Sequence, residues 1–170
     1  MPRLQEGRLT FDFPADGAEV SRYDDWGFYR RQFEQVCGGA KAVDFIFVET
    51  RRTWLIEVKD YHCHPRSKVA ELADEVAAKI RDTLAGLAAC RCNANDATEQ
   101  RIAERALSTQ SLGVVLHLEQ PATPSRLRPR VADPADLTQK LKQLLKPVDP
   151  HPRVVDRHSL HPSMRWTVES

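Results

Sequence analysis

Cysteine is scarce in these 170 residues. The four thiols, Cys37, Cys63, Cys90 and Cys92, are too few and too scattered for a disulfide framework, so reduced cysteines are expected. Long apolar runs are missing as well: no stretch of about 18 residues could span a membrane. The N-terminal MPRLQEGRLTFDFP lacks the apolar core of a secretory signal. These absences point to a cytoplasmic protein without a membrane partner. There is no glycine-rich phosphate loop, no G-x-S-x-G elbow, no internal repeat and no low-complexity tract. Charge of one sign is lacking too, the net being +1. Residues 121–170 hold 9 Lys/Arg against 5 Asp/Glu, and residues 1–120 hold 16 against 19. That basic bias could help hold a phosphate backbone, but a solvated surface shows as much by chance.

What remains is the composition of an ordinary globular chain, 41% hydrophobic and 29% charged, at the length of one domain. Residues 1–20 read as an extended lead-in. Ser21 or Asp24 can cap a helix to about Cys37, with Trp26, Tyr29, Phe33 and Val36 as its buried stripe and Gly38-Gly39 as its stop. Two segments rich in β-branched and aromatic residues, Ala42–Glu49 and Thr53–Asp60, must pair as an antiparallel hairpin.

A long amphipathic helix is expected from Ser67 to about Cys90, with Val69, Leu72, Val76, Ile80, Leu84 and Leu87 on one face. Asn95-Asp96 with Glu99 resembles a capping box for a helix to about Ser108. Leu112–Leu118 reads as a buried strand apart from His117, and residues 120–132 as a loop or irregular edge strand. Asp133-Pro134 opens a helix to about Lys146, and short strands are expected at Arg153–Asp156 and Arg165–Val168. The order predicts a mixed central sheet flanked by helices, an α/β or α+β sandwich in one domain over residues 1–170. Residues 120–170 would extend its core.

The chemistry is expected in the hairpin. Glu57 and Lys59 share a strand face by alternation. If Glu49 pairs with Arg52, Asp44 lies directly across from Glu57; a slip of one residue would send Asp44 to the opposite face. Two carboxylates within about 5 Å repel one another and call for a cation. Mg²⁺ or Mn²⁺ suits such oxygen ligands, and Lys59 could orient a metal-bound water or hold a phosphate. An exposed hairpin with a Glu–Lys salt bridge is the plainer alternative. Against it, Asp44 lies among Ala42 and Ile46 and Glu57 beside Leu55, where an isolated carboxylate is costly without a partner or a task.

VDFIF followed by LIEVKDY resembles the core motif of the PD-(D/E)xK nuclease superfamily, over roughly residues 20–90. The resemblance implies a restriction-endonuclease-like αβββαβ core and a metal-dependent nuclease acting on DNA rather than RNA. By position, Asp44, Glu57 and the Val58 carbonyl would be metal ligands and Lys59 the catalytic lysine. Many members add an acid from the first helix; here Asp24, Asp25 and Glu34 compete for that role, Glu34 reading as a solvated residue near the helix end. Val43 stands where the motif has proline, and only two strands are evident before the long helix.

Arg51 and Arg52 in the hairpin turn, and His64 beyond the lysine, are candidates for touching nucleic acid; Arg30-Arg31 and Arg126, Arg128 and Arg130 are weaker ones. His62-Cys63-His64 with Cys90 and Cys92 carries zinc-ligand residue types, yet lacks CxxC-like spacing. Specific recognition would have to come from the C-terminal segment, a homodimer partner or another subunit. The alternative function is a non-catalytic relative serving as a nucleic-acid-binding or protein-interaction subunit.

Overall fold

The computed structural model describes residues 1–61, 69–121 and 132–170. His62, Cys63, His64, Ser67, Arg126, Arg128, Arg130 and the side chain of Val69 lie outside the described residues, and the expectations attached to them go no further.

The lead-in is more structured than its sequence suggests. Strands β1 (Arg3–Glu6) and β2 (Leu9–Asp12) form a tight hairpin, with Gly7 at φ 58° supplying the positive dihedral that a two-residue turn requires. Strand β3 (Glu19–Arg22) follows and pairs antiparallel with β4 (Phe45–Val48). Three strands, rather than two, therefore precede the long helix in the main sheet, the third being β5 (Arg52–Asp60).

Between β3 and β4 the expected helix to Cys37 is not continuous. Single turns at Tyr23–Asp25, Tyr29–Phe33 and Val36–Gly38 replace it. The first of them carries no side-chain cap from Ser21 or Asp24. The break has a tertiary cause: the Gly27 and Phe28 N–H groups donate to the Glu99 carboxylate at 2.6 and 2.9 Å. Cys37 in the left-handed region, followed by Gly38 and Gly39 at positive φ, ends the segment. Trp26 and Tyr29 are buried as expected, whereas Val36 is exposed.

The β4–β5 hairpin has the register that places Asp44 across from Glu57. The Glu49 N–H donates to the Arg52 carbonyl at 2.8 Å, Phe45 opposes Ile56 and Val48 opposes Thr53. Helix α1 (Val69–Asn93) and helix α2 (Ala97–Leu107) then cross over to β6 (Ser111–Glu119), parallel to β5. Asp96 caps α2 by accepting from Thr98 and Glu99 N–H groups; Glu99 does not return the contact, since its carboxylate is spent on residues 27 and 28. Helix α3 (Pro134–Leu145), capped by Asp133, leads to β7 (Arg153–Val155) beside β6 and finally to β8 (Thr167–Glu169) beside β2.

The result is an α/β arrangement in three layers. A mixed five-stranded sheet, β3-β4-β5-β6-β7, lies between the helices and a small sheet, β1-β2-β8. On the helix side Ile46, Val48, Leu55, Val114 and Leu116 pack with Leu72, Val76, Ile80 and Leu87 of α1 and Leu137 and Leu141 of α3. On the other side Phe45, Phe47, Trp54 and Ile56 meet Phe11, Phe13 and Trp166. That second layer explains why His117 is buried rather than exposed. Its ring stands edge-on to Phe11 at 5.0 Å, with Nε2 3.0 Å from Glu119 Oε1. Among the described residues no helix is long and apolar enough to cross a membrane.

Candidate functional site

Alternation along β5 sends Trp54, Ile56 and Val58 into the aromatic layer and Leu55, Glu57 and Lys59 toward the helices. Glu57 is fully buried there, and helix α1 brings two further side chains to it. Glu75 and Lys79, four residues apart, stand one turn above the other on the same helix face. Lys79 Nζ donates to Glu57 Oε1 at 2.6 Å. Lys59 Nζ lies 3.0 Å from the same oxygen and donates to Glu75 Oε1 at 2.9 Å. Glu57 Oε2 has no hydrogen-bond partner among the described residues.

Asp44 sits one residue before β4, and its Oδ2 accepts the Val58 backbone N–H at 2.6 Å. It is nearly as buried as Glu57, at 8% exposure. Burial, and then the charge of Glu57, push the Asp44 carboxyl up to about 7, against the pull of Lys79 and the Val58 N–H. Burial likewise raises Glu57, opposed by Lys79 and Lys59. Lys59 loses solvation on burial, but Glu57 and Glu75 more than restore its preference for the charged form. Glu75 is also desolvated, yet the Lys59 contact and the lysine charges hold it below the usual carboxylate range.

Asp24, Asp44, Glu75 and Lys79 line one open pocket of 570 Å³, rimmed by Tyr29, Arg30, Glu34 and Lys41. Burial raises the Asp24 carboxyl, and its Oδ1 has no partner among the described residues. Asp25 belongs elsewhere. It pairs with Arg30 and with Arg22 (3.5 Å) and lines a separate hollow with Gly27, Asp96 and Glu99. Of the three acids proposed from the first helix, Asp24 and Glu34 line the pocket and Asp25 does not.

Arg51 and Arg52 do not join the site either. They lie at the turn end of the hairpin; Arg52, the nearer, is five residues from Glu57, which is about 16 Å along an extended strand. Arg52 lies over the Trp54 ring at 4.9 Å and donates to Ser111 Oγ, while Arg51 donates to Gln110. Lys79 and Glu75 are the members that motif reading missed. Their only sequence signal is the four-residue spacing just beside the Leu72, Val76, Ile80 stripe.

Among the described residues no group of three or more His, Cys, Asp or Glu side chains is placed to hold a metal. Mg²⁺ needs fewer, since it keeps several waters and takes one or two carboxylates. Asp44 and Glu57, with the buried and unpartnered Glu57 Oε2, fit that requirement. The contact that Val58 makes here is through its N–H to Asp44. Cys90 is buried and Cys92 exposed, both as free thiols.

No family model and no solved structure matches this chain. It is similar to a cysteine–tRNA ligase of Neisseria meningitidis, 32% identical over 180 aligned positions. The alignment covers 86% of this chain and 26% of the ligase, so the chain spans about a quarter of the length of the curated relative it matches. That finding overturns the expected DNA-cutting nuclease: the relative is named as a ligase of tRNA and not as a hydrolase. The strand motif gave the placement of two carboxylates and a lysine, but the reaction inferred from it does not stand.

Proposed function

We propose that this chain is a tRNA-synthetase-related domain that engages RNA at the pocket lined by Asp24, Asp44, Glu75 and Lys79, with Glu57 and Lys59 held behind it by Lys79 and Glu75. The observation that carries the reading is the similarity to a cysteine–tRNA ligase along 86% of the chain. A protein related to part of a tRNA ligase has RNA, rather than DNA, as its natural nucleic-acid partner. An enzymatic role in tRNA-linked chemistry, exercised within a longer protein, belongs to the same proposal.

The pocket offers a means of binding a polyanion despite its acids. A Mg²⁺ or Mn²⁺ held by Asp44 and Glu57 would offset their repulsion and offer its open positions to phosphate oxygens. Lys59 presents an ammonium already held in the charged form by Glu57 and Glu75. Lys41 lines the same pocket and adds positive charge there, opposite in sign to Glu34, which also lines it. The order of three antiparallel strands, a long helix and a parallel strand supports a restriction-endonuclease-like core, here read as one domain and as a scaffold for RNA recognition.

Fluorescence anisotropy tests the reading with a cysteine tRNA, an unrelated tRNA and duplex DNA, each with Mg²⁺ and with chelator. Tighter binding of tRNA than of duplex DNA is expected, weakened about tenfold or more by chelator and by Asp44→Asn. Equal affinity for duplex DNA, or tRNA binding indifferent to both changes, would overturn it.

A further inference from the structure

Glu57 is buried, yet one of its oxygens carries two ammonium groups while the other carries none among the described residues. The two lysines are not equivalent. Lys59 bridges two carboxylates, Glu57 and Glu75, and extends from the same strand as Glu57. Lys79 reaches in from helix α1, makes the shorter contact at 2.6 Å and lines the open pocket with Asp24 and Asp44. A flexible four-carbon stem beside an open pocket can be displaced without moving any backbone.

We propose that Lys79 is an exchangeable internal counter-ion: its ammonium neutralises Glu57 in the cation-free pocket and leaves that carboxylate when a divalent cation binds between Glu57 and Asp44. The inference rests on the cation site proposed above. Two lysine charges, Lys59 and Lys79, are shared among three carboxylates, Asp44, Glu57 and Glu75, whereas a divalent ion between Asp44 and Glu57 serves both of those directly. Once displaced, Lys79 has somewhere to go. Glu75, one turn back on α1, already feels its charge, and Asp24 faces the same pocket with an unpartnered oxygen. Cation binding would thus turn an ammonium from the buried carboxylate toward the pocket mouth, where an RNA phosphate would meet it. Binding of ion and of polyanion would then be coupled through one side chain.

Calorimetric titration of the full chain with Mn²⁺ tests this in the wild type and in Lys79→Met, Lys79→Arg and Asp44→Asn. Removing an internal competitor should tighten Mn²⁺ binding in Lys79→Met by about tenfold or more, with Lys79→Arg near the wild type. Asp44→Asn should abolish binding in every background. Unchanged or weaker binding in Lys79→Met, with Asp44→Asn still abolishing it, would overturn the counter-ion role and leave the cation site standing. No binding to any form, Lys79→Met included, would overturn the cation site and the inference together. A measurement on the wild type guards against a variant that fails to fold. The rate at which an amine-acylating reagent modifies Lys79, read by mass spectrometry, should rise when Mg²⁺ is added. A rate indifferent to Mg²⁺, in protein shown to bind Mn²⁺, overturns the proposal as well.

Discussion

Asp44 and Val58 are joined across the β4–β5 hairpin by a hydrogen bond of 2.6 Å from the valine N–H to the aspartate Oδ2. The carboxylate takes the place of a backbone acceptor just beyond the last formal strand pair, Phe45 with Ile56. One oxygen of Asp44 is thereby fixed by the sheet, and the side chain is oriented before any ligand arrives. The orientation comes at the cost of holding a carboxylate away from water, next to Glu57.

That cost makes stability depend on pH. In the unfolded chain an aspartate titrates near about 3.9, whereas Asp44 in the fold titrates at about 7. The folded state binds this proton more tightly, so its contribution is fully present below about pH 4 and is lost as pH rises through 7. The span corresponds to at most about 4 kcal/mol. Asp44→Asn can still accept from Val58 and has no proton to lose. Its urea-unfolding free energy should fall less between pH 5 and pH 8 than that of the wild type. Parallel pH curves for the two proteins would refute the assignment.

Removing Glu57 should be far more damaging than removing an exposed acid. Glu57→Ala leaves Lys59 and Lys79 facing one another without their shared carboxylate. Loss of one partner from a buried ionic cluster costs about 3–5 kcal/mol, and the urea midpoint should drop accordingly. A change below about 1 kcal/mol would mean that the cluster is solvated and loosely held.

Glu99 and Asp96 offer a paired comparison. Asp96 caps helix α2, and Asp96→Ala should cost about 1 kcal/mol. Glu99 holds two backbone N–H groups of a segment about 70 positions earlier, each bond to a charged acceptor being worth about 1.5–3 kcal/mol. Glu99→Ala should therefore cost more than Asp96→Ala and speed hydrogen exchange at Gly27 and Phe28. The reverse order would show that Glu99 acts only within its own helix.

Gly113 lies beneath Trp54, where an added Cβ would come within 2.4 Å of the indole ring. Gly113→Ala should lower stability by about 1–3 kcal/mol through overpacking. The emission of this buried indole should shift with it. An alanine tolerated without change in melting temperature would show that Trp54 has room to move.

The parts of this fold that the sequence made legible are those decided within a few residues. Alternation in VDFIF and LIEVKDY, with a short polar link, permitted a register with Asp44 opposite Glu57, and the hairpin adopts it. What stayed hidden depends on distant partners. The turns at residues 23–38 look like one amphipathic helix until Glu99 claims the amides of Gly27 and Phe28. Strand β2 finds its second neighbour in β8, at the far end of the chain. Nothing in the local pattern marks Lys79, because its partner Glu57 lies on another element. The nuclease expectation failed for a different reason. Paired carboxylates with a lysine are compatible with many chemistries, and the motif does not choose among them.

The pairing of β2 with β1 on one side and, through Thr10–Glu169 and Phe11–Val168, with β8 on the other makes it the middle strand of the small sheet. The first and last strands of the fold are therefore held in that sheet through β2 alone. A break in β2 would release both of them at once and bare the aromatic layer of Phe45, Phe47 and Trp54 beneath.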